Sequence, residues 1–352
     1  MKKIIIDLSM LKHINCGLGQ VAFNYGEYFK QNYLGDGISQ IYLLLPKKMI
    51  GDFGPAVKYI SSNWWHKIFP FLLPKCNVWH AIHQLSHFHP FYSDTKLILT
   101  IHDLNFLYEK NKSKSDRYLQ KVQNEIDRAD KIICISEFTK DETERFIKLN
   151  GKKIEVIYNG VEQFDSNIAK RPDFIIKDKS FFFSIGQIKK KKNFHVLLPL
   201  MKMFPEKQLY IAGKSGTTYA AEIQSVIKKE NISNVHLVGQ ITNEERVWLY
   251  KYCEAFLFPS LFEGFGLPVI EAMSFGKPVF TTEETSLKEI GGGLTYVWDN
   301  FDAVGMKSVL DKNLTLFYSS PLNATKNIDY AKTFSYEKHM IKYLEIYNEL
   351  IE

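Results

Sequence analysis

Short apolar runs rich in β-branched and aromatic residues alternate, along most of this chain, with segments whose apolar positions recur every three or four residues. The first kind reads as buried strand and the second as amphipathic helix. The run at 3–7 leads into a loop bearing Gly17 and Gly19, then a helix over about 20–30. Strands are predicted at 41–45, at 78–80 and at 96–101. Helix 114–128, strand 131–135, helix 136–149 opened by Ser136 as N-cap, and strand 154–158 complete a first series. A polar, irregular stretch at about 162–180 interrupts the pattern, which then restarts. The second series has strand 181–185, a basic turn at 189–193, helix 194–203, strand 209–212 and a glycine-containing loop at 214–218. Helix 219–230, strand 235–238, helix 243–252 and strand 255–258 follow. A loop with Gly264 and Gly266 then feeds a helix that has Pro268 in its first turn and Gly276 at its end, before a strand at 278–282. A last helix, 336–350, gathers Met340, Tyr343, Leu344, Ile346, Tyr347 and Leu350 on one face. Two successive β/α series of about 150 residues each predict an α/β protein with two doubly wound domains. A single eightfold barrel is the alternative, and the mid-chain linker argues against it.

Composition narrows this picture without changing it. The 352 residues are enough for two domains with separate cores, and the 45% apolar and 24% charged content is that of a globular protein. The net charge of +6 is spread along the chain, so it suits anionic ligands or an anionic membrane surface and excludes a nucleic-acid-binding stripe. Cys16, Cys76, Cys134 and Cys253 lack metal or redox spacing and read as reduced thiols of a cytoplasmic protein. The N-terminal apolar run is cut short by Asp7 and reads as a strand rather than a signal peptide, and no run approaches a membrane span. One segment, 64–73 (WWHKIFPFLL), has two readings. It is either a loop packing its aromatics into the core or a surface dipping into lipid headgroups, as a peripheral protein on the inner face of a membrane would present.

Candidate chemistry concentrates where strands end. A glycine-rich loop feeding a helix N-terminus, as at 263–267, offers unpaired backbone N–H groups to an anion. Glu263 and Glu271, with seven residues between them, are ill suited to that anion but well suited to hydroxyls attached to it. A sugar nucleotide carries both. His102 and Asp103 end the strand 96–101, at the carboxyl edge where open α/β sheets bind ligands. His80, His83, His87 and His89 leave three readings open: a metal site, a loop that hydrogen-bonds a polar acceptor, or structural side chains. Zinc ordinarily recruits cysteine or carboxylate as well, so no metal is assigned.

Several motifs in order resemble the large family of retaining glycosyltransferases with the GT-B fold, usually numbered family four. The principal one is 263–271, EGFGLPVIE. Residues 17–19 (GLG), 100–103 (TIHD), 129–137 (ADKIICISE) and 158–161 (YNGV) are similar to further family elements, as are the phosphate turn at 184–193 and 334–336 (FSY). The resemblance implies an α/β GT-B protein of two Rossmann-like doubly wound domains facing a central cleft. Residues 1–165 would form an N-terminal acceptor domain, with the helix 335–352 packing back on it. Residues 175–334 would form the nucleotide-sugar-binding domain.

Carried over residue by residue, the resemblance gives Glu263 the hydroxyls of the transferred sugar and Glu271 those of the ribose. Gly264, Phe265, Gly266 and Leu267 would offer backbone N–H groups, Lys192 would neutralise the departing diphosphate, and Gly17 and Gly19 would close over it. Gln240 and Ile241 would border the base, Lys214 would be a second phosphate contact, and His102 would touch the sugar or the incoming hydroxyl. His83 and Asp103 are candidates for the acceptor. Where the family commonly has arginine, this chain has Gln187; a neutral amide lacks the bidentate guanidinium grip, and the lysine run 189–192 is the compensating charge.

The implied activity is metal-independent, configuration-retaining transfer of a hexose from GDP-mannose or a UDP-hexose to a glycan or lipid-linked acceptor, as in polysaccharide or lipopolysaccharide synthesis. A front-face displacement, with the leaving phosphate taking the acceptor's proton, is the expected mechanism, and no cofactor is implied. Two other functions stay in view. A sugar-nucleotide epimerase or hydrolase would need a further acid–base carboxylate pair. A catalytically silent sugar-nucleotide-binding subunit is opposed by the intact glutamates and Lys192.

Overall fold

The computed structural model describes residues 1–352 apart from Asn15, Leu34, Asp36 and Gln163. It divides into two compact units, one formed by Met1–Gly160 with Tyr336–Glu352 and the other by Val161–Ser335. Among the described residues, no helix is long and apolar enough to cross a membrane.

The first unit is built on strands β1 (Lys2–Asp7), β2 (Ser39–Leu45), β3 (Lys58–Ser61), β4 (Val78–Ala81), β5 (Lys96–Ile101), β6 (Lys131–Cys134) and β7 (Ile154–Val156). They form one parallel sheet in the order β3-β2-β1-β4-β5-β6-β7. The central strands are continuous apolar runs because both faces are covered: Ile4, Ile5 and Ile6 of β1 and Ile98 and Leu99 of β5 are all buried. The order reverses between β1 and β4, where Ile4 pairs with Val78 and Asp7 with Ala81.

The helix expected from about residue 20 begins earlier, as Gly17–Asn32, so Gly17 and Gly19 occupy its first turn rather than a preceding loop. A Cβ at Gly19 would lie 2.1 Å from the carbonyl oxygen of His13, whereas one at Gly17 would meet nothing. Gly19 therefore serves a close backbone approach. The last helix, Tyr336–Ile351, packs Tyr343 and Tyr347 against the sheet. There His80 is bonded to the Tyr347 hydroxyl at 2.7 Å and to Thr100 at 2.9 Å, and Thr100 in turn to Tyr343 at 2.9 Å. His80 is thus a structural side chain. The aromatics of segment 64–73 did not enter the core: apart from buried Leu73, its large apolar side chains lie at the surface.

The second unit contains β8 (Phe181–Ile185), β9 (Gln208–Ala212), β10 (Val235–Gly239), β11 (Ala255–Phe258), β12 (Val279–Thr281) and β13 (Tyr296–Val297). The parallel order is β10-β9-β8-β11-β12-β13, reversing between β8 and β11. Phe182, Leu209, Ile211, Leu257 and Phe280 supply one face of its core, under helices that include Leu197–Lys202 and Ala303–Tyr318. The expected helix 194–203 opens with a 3-10 turn at Phe194–Val196 that runs into the α-helix Leu197–Lys202. Helices Ala303–Tyr318 and Pro321–Lys332 are additional elements; in the first, Met306, Leu310, Leu314 and Phe317 recur at helical spacing and form its buried face. Parallel strands leave their carboxyl ends on one edge, and the turns that follow them hold the candidate residues.

Candidate active site

The reversal point of a doubly wound sheet opens a crevice, because the connections on either side leave in opposite directions. In the second unit Lys192 follows β8 and Glu263 follows β11, the two strands that flank this point. Their side chains form an ion pair, with only 11% and 13% of each exposed. The lysine comes from a 3-10 turn, Lys190–Lys192, ended by Asn193 at φ 56°, a left-handed conformation that asparagine tolerates. Its ammonium lies 4.8 Å from the centroid of the Phe258 ring. Glu263 also accepts from Ser260 Oγ at 2.6 Å, and its backbone N–H donates to Thr285 Oγ1 at 3.1 Å. The loop is tied back to the lysine turn by Leu261 N–H on the Lys191 carbonyl at 2.8 Å.

Burial alone would raise the Glu263 carboxyl, but Lys192, Lys191 and the Ser260 hydroxyl outweigh it and hold the group below its ordinary value. It is an ionised carboxylate at neutral pH, an acceptor with further lone pairs to offer hydroxyl donors.

Behind it, the loop 263–266 is fixed by Ser286, whose hydroxyl lies 2.9 Å from the Glu263 carbonyl and 3.0 Å from that of Phe265. Gly264 is buried, and the Phe265 ring packs edge-on against Phe334 at 5.8 Å. Gly266 caps the helix Leu267–Ser274 at φ 103°, where an added Cβ would also lie 2.7 Å from Leu287. Leu267 opens that helix, and Glu271 sits one turn further in. There Tyr250 donates to Glu271 Oε2 at 2.8 Å, and Arg246 lies 3.5 Å from Oε1. Arg246 reaches Glu162 at 3.1 Å and stacks over Phe164 at 4.7 Å, so the guanidinium clamps Glu271 from the linker side.

The remaining candidates of this unit cluster on the adjoining turns. Gly186, Gln187 and Lys192 share the turn after β8; Gln187 is half-buried, and a Cβ on Gly186 would press on the Lys192 side chain at 3.1 Å. Exposed Lys214 follows β9, and its carbonyl accepts from Ile188 N–H at 3.2 Å, which binds the two turns together. They cross so closely that a Cβ at Gly213 would stand 1.8 Å from the Gly186 oxygen. Gln240 and Ile241 follow β10, beside Gly239, whose carbonyl accepts from Gly213 N–H at 2.7 Å. Four strand ends, those of β8, β9, β10 and β11, therefore bring Gln187, Lys192, Lys214, Gln240, Ile241, Glu263 and Glu271 to one edge of one sheet.

The other candidates lie in the first unit. His102 is buried, and its Nε2 meets the Ile82 carbonyl at 2.8 Å. A carbonyl only accepts, so Nε2 carries the proton and Nδ1 is left as an acceptor. Burial pushes this imidazole down to about 4. His83, lowered to about 3 by burial and the neighbouring His102, has its ring 6.3 Å from that of His102. Asp103 accepts from Asn105 N–H at 3.0 Å and its carbonyl from Gln84 at 2.6 Å, an arrangement that stabilises the turn after β5. Among the described residues, no group of three or more His, Cys, Asp or Glu side chains is placed to hold a metal ion.

Residues that sequence reasoning passed over complete both clusters. Ser260, Thr285 and Ser286 orient Glu263, while Arg246 and Tyr250 orient Glu271; nothing in local spacing marks them. In the first unit Asp7, at the end of β1, accepts from Ser9 N–H at 2.9 Å and from the Ser86 hydroxyl, tying the end of β1 to the segment that follows β4 at that sheet's reversal point.

Two doubly wound parallel sheets, the second with a carboxylate–lysine pair at its reversal point beside a glycine-capped helix, define the architecture of the GT-B glycosyltransferases. Family profiles agree: "Glycosyl transferases group 1" matches residues 165–292 and "Glycosyltransferase Family 4" matches residues 53–163. The chain belongs to the family-four glycosyltransferases of the GT-B fold. It is 28% identical over 239 residues to the serotype-specific mannosyltransferase WbdA of Escherichia coli, covering 62% of this chain and 29% of that protein. It therefore spans less than a third of WbdA. With O-antigen chain mannosyltransferase B of Escherichia coli it shares 25% identity over 271 residues, 72% of this chain and 71% of the other. Among solved structures, Anabaena HepE in complex with UDP-glucose superposes with a TM-score of 0.77 at 15% identity, over 99% of this chain and all of that one.

Proposed function

We propose that the protein is a retaining hexosyltransferase that moves a sugar, mannose by preference, from a nucleotide donor to a glycan or lipid-linked acceptor in surface-polysaccharide synthesis. The observation that carries the proposal is the buried Lys192–Glu263 pair at the reversal point of the second sheet. The similarity to mannosyltransferases supports mannose as the transferred sugar, with GDP-mannose as the donor of this reading, while the UDP-glucose held by HepE keeps UDP-hexoses as the competing donors.

In this reading Val161–Ser335 is the donor-binding unit and Met1–Gly160 with Tyr336–Glu352 the acceptor unit. Glu263 accepts hydrogen bonds from hydroxyls of the transferred sugar, and Glu271, held by Arg246 and Tyr250, accepts those of the ribose. Gly264, Phe265, Gly266 and Leu267 line the sugar and phosphate with backbone. Gln240 and Ile241 border the base, and Gly17 and Gly19 contribute the first unit's contact with the phosphates. As the glycosidic bond breaks, the diphosphate gains negative charge and the sugar becomes oxocarbenium-like. Lys192, aided by Gln187 and Lys214, meets that charge where it develops. A charge-assisted hydrogen bond of this kind is worth about 1.5–3 kcal/mol even in a stability context, and more in a site closed to water. His102, neutral and with Nδ1 as acceptor, receives a hydroxyl of the sugar or the acceptor; His83 and Asp103 border the acceptor. The leaving phosphate takes the acceptor's proton, so the transfer proceeds on one face and retains configuration without a metal.

The test is a thermal-unfolding panel of GDP-mannose, UDP-glucose, UDP-galactose and the free nucleotides, followed by product analysis with the stabilising donor. A ligand that binds the folded state raises its melting temperature. GDP-mannose is expected to give the largest shift and an α-configured product that forms equally well in EDTA. No shift with any nucleotide sugar would sink the proposal.

A further inference from the structure

In the first unit, exposed large apolar side chains gather on one surface. Trp64, Trp65, Ile68, Phe69, Phe71 and Leu72 are each 45–58% exposed. The helix Trp65–Ile68 and the 3-10 turn Pro70–Leu72 carry most of them. Ring contacts form two groups, Trp64 with Trp65 at 4.4 Å and Phe71 with Phe69 at 5.8 Å and Phe91 at 6.0 Å, and the Phe69 N–H bond to the Trp65 carbonyl at 2.7 Å joins them. Phe91 and Tyr92, also exposed, extend it into the segment between β4 and β5. Single exposed apolar residues are ordinary, but a contiguous patch marks an interface.

Charge selects the occupant. From residue 53 to residue 93 the sequence has no aspartate or glutamate, yet it contains Lys58, Lys67 and Lys75. The Lys67 ammonium lies 5.4 Å from the centroid of the Phe88 ring. Lys67, Lys12 and Lys121 are exposed and, after burial itself, are what depresses the neighbouring His87 imidazole, so three separate segments bring positive charge to one rim. Asp94, the first acid after this stretch, is paired with Lys75 at 2.7 Å. A second copy of the chain seated here would set lysine against lysine. An anionic bilayer presents headgroups to the lysines and a headgroup–acyl boundary to the indoles, the depth at which tryptophan is enriched.

We propose that residues 64–72, with Phe91 and Tyr92, form a docking surface for an anionic lipid bilayer, the aromatic side chains entering the interface and Lys12, Lys67 and Lys121 meeting the headgroups. The inference is independent of the sugar chemistry above. Its consequence for that chemistry is positional: the Phe88 contact joins the patch to the segment following the carboxyl end of β4, where His83 lies, so docking brings that segment to the bilayer.

The experiment is flotation of the full chain with vesicles of phosphatidylethanolamine and phosphatidylglycerol, against vesicles of phosphatidylcholine alone. Binding is expected to the anionic vesicles only and to weaken as salt is raised. The double variant Trp64→Ser/Trp65→Ser is expected to partition roughly tenfold less, with its melting temperature unchanged because both side chains are already exposed. Lys67→Gln and Lys121→Gln are each expected to lose about fivefold. Absence of binding to either vesicle overturns the proposal, as does equal binding of the folded double tryptophan variant. A self-associated chain that the tryptophan variant disperses, without vesicle binding, assigns the patch to a second copy and overturns it equally.

Discussion

Lys192 and Glu263, 71 positions apart in the chain, meet as a buried ion pair between the turns that follow two neighbouring strands, β8 and β11. Each charge is kept in a poorly solvated place by the other, and a bound diphosphate would compete with Glu263 for the lysine.

Removing one partner leaves an uncompensated buried charge, which costs about 3–5 kcal/mol. Glu263→Ala is therefore expected to lose both activity and stability, whereas Glu263→Gln keeps the shape and a hydrogen-bond acceptor. Glu263→Gln also removes the counter-charge of Lys192, so we expect it to lose stability too, though less than Glu263→Ala, while transfer at a temperature where it is folded falls by roughly two orders of magnitude or more. Parallel melting curves and initial rates check this, and unchanged transfer would remove Glu263 from the site.

The Tyr250 hydroxyl donates to Glu271 Oε2 at 2.8 Å. Tyr250→Phe deletes one hydrogen bond to a charged group, worth about 1.5–3 kcal/mol. If Glu271 grips the ribose, donor KM rises by about tenfold or more on the same scale and kcat changes little. A fall confined to kcat would contradict that role.

Gly213 crosses Gly186 with no room for a Cβ, at φ 141°. Gly213→Ala is expected to destabilise the second unit by about 3 kcal/mol, within the range for strained backbone sites and overpacking. Hydrogen exchange would show the loss on β8 and β9 but not on β1 and β4. Equal protection of β8 and β9 in parent and variant would refute the close crossing.

Acid should weaken the first unit. Burial lowers both His102 and His339 to about 4 from the ordinary 6.5. Below pH 6.5 the unfolded chain takes up protons that the folded chain refuses, so stability falls as pH drops from 6.5 to 4. Each group contributes roughly 3 kcal/mol to that fall. Glu263 behaves differently: its folded value is depressed, so its contribution is complete above the ordinary carboxylate range and is lost only as pH falls through the folded value. Urea midpoints at pH 7 and pH 5 are expected to differ clearly, with the first unit unfolding earlier at pH 5. A flat profile would contradict the buried neutral histidines.

The sequence by itself determined the alternation of strand and helix, the mid-chain break, and the loop–helix element with Glu263 and Glu271. Those features rest on local physics: apolar periodicity, the backbone freedom of glycine, and the place of proline in a first helical turn. Tertiary structure alone decided the rest. Gly17 and Gly19 lie in a first helical turn, and Gly19 there sits against the His13 backbone, a contact that local pattern does not encode. His80 became a link between the sheet and the last helix because Tyr343 and Tyr347, more than 240 residues away, supply its surroundings. The aromatic run at 64–72 had two readings in the sequence, and the structure leaves its rings at the surface. Arg246, Tyr250, Ser260 and Ser286 joined the site through strand order, which carries turns distant in sequence to one edge of a sheet.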